Sequence, residues 1–341
     1  MMNPVKIEFE RTGYDPSIDY VKGLCILFVI WTHCMTREEL RLILFPFWGD
    51  AAVQIFLTIQ VFHFFKRDSF AHIPNLQKIW RRIIMPYIVL IVITFLLDYL
   101  IYYHDTNGIF DIQLYWDLRG PGSYYIFIYL QFAFLLPVIA PLFRYLSLNW
   151  LLILSIFVSQ VVEYVCSVSD CPDNIYRITF FRYSFLIYLG YILATKGLTI
   201  DKKTIPLIFL SSVFIYVLCY TTYDMRPIFC TNLVLWPLCH WVCYFFIVYF
   251  IIWIMKLTYM KCSQKQTGSQ FTYLIKQIGK YSYEIYLFQI FYYSIISIYV
   301  SKATSTIGIH SFERALYIII STILCTLPVI IYKYLTKPSS K

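Results

Sequence analysis

Charge is what this sequence has least of. Only 14% of its 341 residues are Asp, Glu, Lys or Arg, against about 25% in an ordinary soluble domain. The few charges gather in short clusters between apolar stretches, each long enough to span a hydrocarbon core of about 30 Å. A soluble core has no need of that length so many times over. A cleavable signal peptide is not expected. The N-terminus, MMNPVKIEFERTGYDPSID, carries charges of both signs and no small-residue cleavage site, so the first apolar stretch is read as a retained helix. There is no CxxC pair and no zinc-like spacing, and no metal is expected. Most of the ten Cys lie in apolar segments as small hydrophobes. Cys166 and Cys171 share a loop and suit a local disulfide if that loop is extracellular. No internal repeat and no separate soluble domain is visible.

What is present is apolar and aromatic: 60% hydrophobic residues, with 32 Tyr and 29 Phe. This composition suits helices that meet lipid, headgroups and a polar interior. The expected fold is therefore all-α, a polytopic integral membrane helical bundle of about ten transmembrane helices. Spans are expected at 20–36, 50–65, 83–103, 122–145, 149–167, 177–195, 205–222, 229–255, 281–300 and 314–335. The second is short for a full crossing. Residues 1–19 form an expected cytoplasmic segment, 20–336 the transmembrane domain and 337–341 a cytoplasmic tail. The longest connection, about 256–280, holds the polar stretch KCSQKQTGSQ.

The net charge of +9 is not a nucleic-acid signature. With the N-terminus inside, most Lys and Arg fall on inner segments, among them Lys66, Lys78, Lys196, Lys256 and Lys333. Fewer, such as Arg37, Arg177 and Arg314, fall outside. The positive-inside rule accounts for this bias and puts both termini in the cytoplasm, N-in and C-in. The implied partners are membrane lipids, not nucleic acid.

Polar groups within a membrane are costly and each needs a reason. In IDYVKGLCILFVIWTHCM, Asp19 and Lys22 stand at the inner end of the first helix, where they read as structural. His33 follows fourteen residues after Asp19, roughly 20 Å further along the helix. A neutral imidazole there can take a proton from a hydroxyl; the plainer role is a helix-capping or helix-joining bond. In KIWRRIIMPY, Lys78, Arg81 and Arg82 cluster where the third helix begins, with Pro86 in its first turns. They suit phosphate binding, or simply positive-inside topology. Arg182 lies a short way into the sixth span, to orient an acceptor or snorkel outward. Glu284 is read as bonding a Tyr or a basic neighbour. Gln54, Gln60 and Gln131 suit bonds between helices, and His240 a bond across helices rather than metal binding.

These stretches together resemble the acyltransferase 3 family of membrane O-acyltransferases. Asp19, Gly23 and His33 are similar to its N-terminal pattern, and the basic run ending in Pro86–Tyr87 to its Arg-rich motif. GPGSYYIFIYLQFAFLLP (120–137) resembles its fourth-helix region, RYSFLIYLGYIL (182–193) its sixth helix, and GKYSYEIYLFQ (279–289) its late Gly-x-x-Ser-Tyr-x-x-Tyr-Leu segment. The resemblance implies transfer of an acyl group, usually acetyl from acetyl-CoA, to a hydroxyl of an envelope glycan or lipid-linked sugar in the bacterial inner membrane. It implies His33 as catalytic base and Arg82, with Arg81 and Lys78, as the donor-binding cluster. Tyr124, Tyr125 and Tyr281 are candidate oxyanion or substrate contacts. The sequence departs from the family in VQIFLTIQVFHFF of the second helix, at Lys78–Ile79 of the basic run, and at Gln289, where the family often has a histidine. A transporter or flippase for a lipid-linked or small polar substrate fits the same ten-span pattern, although the two related halves common in transporters are not visible.

Overall fold

The computed structural model describes residues 5–10, 13–44, 48–49, 51–66, 76–105, 122, 124–169, 171, 173–221, 240–264, 269–305 and 310–336. The first half of the eighth expected span, the side chain of His240 and the tail 337–341 lie outside the described side chains and residues.

The first helix, α1 (Pro16–Cys34), starts where the local chemistry directs it. Pro16 occupies the first turn, where its missing N–H costs nothing, and Asp15 caps the end by accepting from the Ser17 N–H at 2.9 Å. The helix stops at Met35, whose extended backbone donates to the Trp31 carbonyl at 3.1 Å. A short helix α2 (Arg37–Leu42) follows, then α3 (Ala52–Phe65). A run from α4 (Leu76–Ile79) passes through a π turn, Trp80–Ile84, into α5 (Met85–Asp105). Next come α6 (Tyr124–Ile139), α7 (Leu142–Tyr145), α8 (Leu148–Val168) and α9 (Asp173–Ile178). A 3₁₀ turn, Phe180–Tyr183, leads into α10 (Ser184–Thr195), and α11 (Thr204–Thr221) follows. The last third is α12 (His240–Gln264), α13 (Ser269–Lys280) and α14 (Ser282–Phe291). A second π turn, Tyr292–Ile296, precedes α15 (Ser297–Ser305) and α16 (His310–Leu335).

The chain is a nearly all-helical membrane protein. Each expected span overlaps one of these helices. Among the described residues, five stretches are long and apolar enough to cross a bilayer alone: Pro16–Cys34, Leu76–Leu97, Leu148–Cys166, Phe245–Ser263 and Phe312–Leu335. Their burial separates two shells. In α1, α3 and α10 most side chains are buried against other helices. In the Leu76–Leu97 stretch, α8 and α16 the apolar side chains mostly face outward, as with Ile93, Phe157 and Ile331. That is the pattern of lipid-facing helices around a protein-facing centre.

Two close helix contacts depend on glycines. A Cβ on Gly23 would stand 2.1 Å from the Ile275 carbonyl oxygen, so α13 crosses α1 in direct backbone contact. A Cβ on Gly190 of α10 would stand 2.6 Å from the Val61 side chain and 2.8 Å from the Thr58 carbonyl oxygen of α3.

Three features depart from expectation. The segment 256–280 is not a plain loop: α12 continues to Gln264, and α13 follows with Phe271, Tyr273 and Leu274 exposed and Ile275 and Ile278 buried. The fold is not purely α either. β1 (Val5–Ile7) pairs antiparallel with β2 (Leu198–Ile200), and the Tyr249 hydroxyl holds β2 by donating to the Thr199 carbonyl at 2.7 Å. Finally, Pro86 is the second residue of α5, as expected, but helical backbone already runs from Leu76 through the π turn before it. It follows the π turn, where the Met85 N–H already reaches back to the Trp80 carbonyl. That five-residue spacing loosens the ladder at the place where a proline cannot donate.

Candidate active site

His33 lies in the last turn of α1, half-buried, with its ring 5.5 Å from that of Tyr293. The turn is held on several sides. The Tyr293 hydroxyl donates to the Ile30 carbonyl at 2.9 Å, and the Trp31 indole donates to the Thr322 hydroxyl at 3.1 Å. Since Tyr293 spends its proton on Ile30, its oxygen is left to accept from the Cys34 thiol, 2.9 Å away. Cys34 is buried and engaged there.

Near His33 stands Gly122. Gly122 has φ +88°, a left-handed conformation that a side chain would strain. Its carbonyl accepts from the Tyr286 hydroxyl at 2.5 Å. The position where a Cβ would stand on Gly122 is 3.9 Å from His33 Nε2, 3.8 Å from Gln289 Nε2 and 3.5 Å from the Tyr286 ring. Three distant parts of the sequence thus meet at one point: the end of α1, Gly122 and the 279–289 stretch. Tyr286 and Gln289 lie one turn apart on α14 and present the same face to Gly122.

The same face of α14 leads to the basic cluster. Tyr283, one turn before Tyr286, donates its hydroxyl to the Ile83 carbonyl within the π turn at 2.7 Å. The Tyr283 and Tyr286 rings stack at 6.3 Å and 29°. Tyr125 packs on Tyr286 at 5.4 Å and on Phe56 at 6.0 Å. Arg81 and Arg82 belong to the π turn, Lys78 to the turn before it, and all three are exposed. A row of aromatic rings therefore joins an exposed basic turn to His33. From Tyr283 to Gln289 that face of α14 spans about 9 Å of helix rise. Neither Tyr283 nor Tyr286 stood out in the sequence as a site residue. The signal was there in the late Ser-Tyr-x-x-Tyr pattern, which places both tyrosines on one helix face.

The remaining expected residues are dispersed. Tyr124 opens α6 beside Gly122. Tyr281 caps the start of α14 with the Lys280 ammonium 5.7 Å from its ring. Glu284 pairs with Lys333 at 2.8 Å, the basic neighbour its position called for. Asp19 pairs with Lys22 at 2.7 Å and accepts from the Tyr14 hydroxyl. Arg182 is buried with its guanidinium 4.0 Å from the Tyr176 ring and 5.0 Å from that of Tyr183. These contacts bind α9 to the 3₁₀ turn. Gln60 and Gln131 join helices, donating to the Tyr129 and Ile178 carbonyls at 3.0 and 2.7 Å.

Lys256 is more than a topology charge. It is buried, pairs with Asp15 at 3.0 Å, donates to the Ser17 hydroxyl at 2.6 Å and lies 4.6 Å from the Phe9 ring. Burial alone would raise the Asp15 carboxyl. Bonds from Ser17, the Glu10 N–H and Lys256 outweigh it and hold the group below the ordinary carboxylate range.

These features define a polytopic membrane protein with an ionisable residue built into an aromatic polar centre. The chain belongs to the acyltransferase 3 family, described as an acyltransferase domain, whose pattern matches residues 15–333. No curated protein and no solved structure matches it. The match covers nearly the whole chain and makes the protein a membrane acyltransferase.

Proposed function

We propose that this acyltransferase moves an acetyl group from acetyl-CoA to a hydroxyl of an envelope polysaccharide, or a related glycan or lipid-linked sugar. We place it in the bacterial inner membrane, crossing ten times with both termini inside. The observation that carries the reading is the meeting of His33, Gly122, Tyr286 and Gln289 at the end of a tyrosine row that begins at Arg81 and Arg82.

The donor set fits a polyanionic thioester. Lys78, Arg81 and Arg82 are exposed and offer charge-assisted bonds to phosphates. The thin pantetheine arm suits the aromatic row, whose rings offer apolar walls and few charges. His33 Nε2 takes the proton of the acceptor hydroxyl as that oxygen attacks the thioester carbonyl. The acyl carbon gains a C–O bond and loses its C–S bond. The CoA sulfur leaves as thiolate, and the proton on His33 returns to it. Tyr124 and Tyr125 are the proposed hydroxyl donors to the carbonyl oxygen as it gains charge. Arg182 and Tyr281 are proposed as further substrate contacts.

The test is mass spectrometry of envelope glycans from cells with and without the protein, together with acetyl transfer from labelled acetyl-CoA by the purified protein. An acetyl mass lost with the protein and restored by it supports the reading. Movement of a substrate without any acyl product rejects it in favour of a transporter.

A further inference from the structure

We propose that Arg314 is a positioning residue that fixes the catalytic end of α1. The inference rests on the reading of His33 as the base. α1 ends one residue after His33, so the carbonyls of its last turn have no following turn to bond to. Arg314 of α16 donates from Nη2 to the Cys34 carbonyl at 2.8 Å. The same guanidinium holds Glu39 with two bonds, Nε to Oε1 at 2.9 Å and Nη2 to Oε2 at 2.7 Å. Glu39 in turn anchors the start of α2. Its Oε2 accepts from the Thr36 N–H at 2.7 Å, and its own N–H donates to the Thr36 hydroxyl at 3.3 Å. This is a capping box. One planar cation thus ties together the last carbonyl of α1, the first turn of α2 and α16. It also places positive charge at the negative end of the α1 dipole.

Stability is a poor explanation for this arrangement. Arg314 and Glu39 are each 30% exposed at the side chain, and solvent screens such a pair. Position is the better one. His33 must meet an acceptor hydroxyl within hydrogen-bond reach, and a displacement of about 1 Å can cost roughly 10²-fold in rate. A basic residue read from the sequence as an outer topology charge becomes the anchor of the turn that carries the base.

The test uses the full-length purified protein in nanodiscs. Arg314→Ala should lower kcat by roughly 10²-fold, with KM for acetyl-CoA within about twofold of wild type and only a small shift in melting temperature. The exchange Glu39→Arg with Arg314→Glu separates position from pairing. It restores an ion pair, but a carboxylate cannot donate to the Cys34 carbonyl. The exchange also removes the Glu39 carboxylate that caps α2, so melting temperature should recover only in part and kcat should not recover. Wild-type kcat in Arg314→Ala, or recovery of kcat in the exchange, overturns the inference. Should Arg314→Ala fail to fold, Arg314→Lys takes its place. It keeps the cation without the planar fork, and kcat should still fall at unchanged donor KM; an unchanged kcat overturns the inference. If the wild-type protein transfers no acetyl group, the proposed function fails, yet the positioning remains testable. Carbethoxylation by diethyl pyrocarbonate, read by peptide mass spectrometry, should then change in rate at His33 in Arg314→Ala and not at the exposed His63. An unchanged rate at His33 overturns the inference.

Discussion

Gly279 lies against the backbone of Asp19 so closely that a Cβ on it would stand 1.7 Å from the Asp19 carbonyl oxygen and 2.7 Å from the Gly23 nitrogen. Neither atom can yield without moving α1. Gly279→Ala should therefore push α13 off α1 and displace the start of α14. Overpacking typically costs about 1–3 kcal/mol, and a backbone clash belongs at the upper end. A fall in melting temperature in detergent is the expected result. An alanine variant with wild-type melting would mean that α13 does not cross α1 at this contact.

How much of this was legible beforehand depends on whether the signal is local. Hydropathy is local, so every expected span overlaps a helix, and the short second span is the fourteen-residue α3. Partners distant in sequence were not legible. β1 and β2 are brought together by the fold, and nothing in Val5–Ile7 names Leu198–Ile200 as its partner. α13 was hidden because its polar residues run on from the KCSQKQTGSQ stretch, whose last two residues begin it. Lys256 and Arg314 were counted as topology charges, since a sequence shows a charge without its carboxylate. His33 and the basic run were visible as residues. Their connection through Tyr283 and Tyr286 required the packing of α14.

The Asp15–Lys256 pair joins the N-terminal end of α1 to α12 in a buried setting. Removing one partner of such a pair typically costs about 3–5 kcal/mol, because the other is left buried and charged. Lys256→Met should destabilise on that scale, and Asp15→Asn with Lys256→Met should recover part of the loss. The pH dependence follows from the lowered Asp15 carboxyl. A depressed folded-state value means that the contribution is fully present above the ordinary carboxylate range. It is lost as pH falls through the lowered value. Melting temperature should drop on acidification in the wild type and less so in the double variant. Parallel curves would sever Asp15 from the acid response.

Tyr286→Phe removes only the hydroxyl that bonds Gly122. The ring packing on Tyr125 and Tyr283 stays. The expected stability loss is about 1 kcal/mol. The expected loss of kcat is larger, roughly 10- to 100-fold, because Gly122 is held over His33 by that bond. Equal, small effects on both quantities would show that the Gly122 segment needs no anchor for transfer.

Arg82→Ala tests the donor end of the row. Losing one charge-assisted phosphate bond at an exposed position should weaken acetyl-CoA binding by about tenfold, or about 1.4 kcal/mol. The folded protein should survive, since Arg82 is exposed. Acetyl-pantetheine, which lacks the nucleotide phosphates, provides the control: its use should be unaffected by the change. Donor affinity that does not move in the purified variant removes Arg82 from the donor site.

His33→Gln decides between a base and a helix-joining residue. Glutamine keeps a donor and an acceptor and fills a similar space, so a His33 that only joins helices would be replaced with little loss. An amide is no useful base. If His33 takes the acceptor proton, His33→Gln should be nearly as inactive as His33→Ala, down by about 10²–10⁴-fold in kcat. Acetyl-CoA affinity should stay close to wild type in both variants, because the basic cluster lies at the other end of the tyrosine row. Position adds a second constraint, since Gln289 already brings one amide nitrogen to within 3.8 Å of the Gly122 Cβ position. A second amide at residue 33 would give the site two neutral donors and nothing to accept the proton. The paired measurement is single-turnover transfer from labelled acetyl-CoA alongside equilibrium donor binding. Near-normal transfer by His33→Gln would end the role of His33 as base and leave the acyltransferase in need of another proton acceptor.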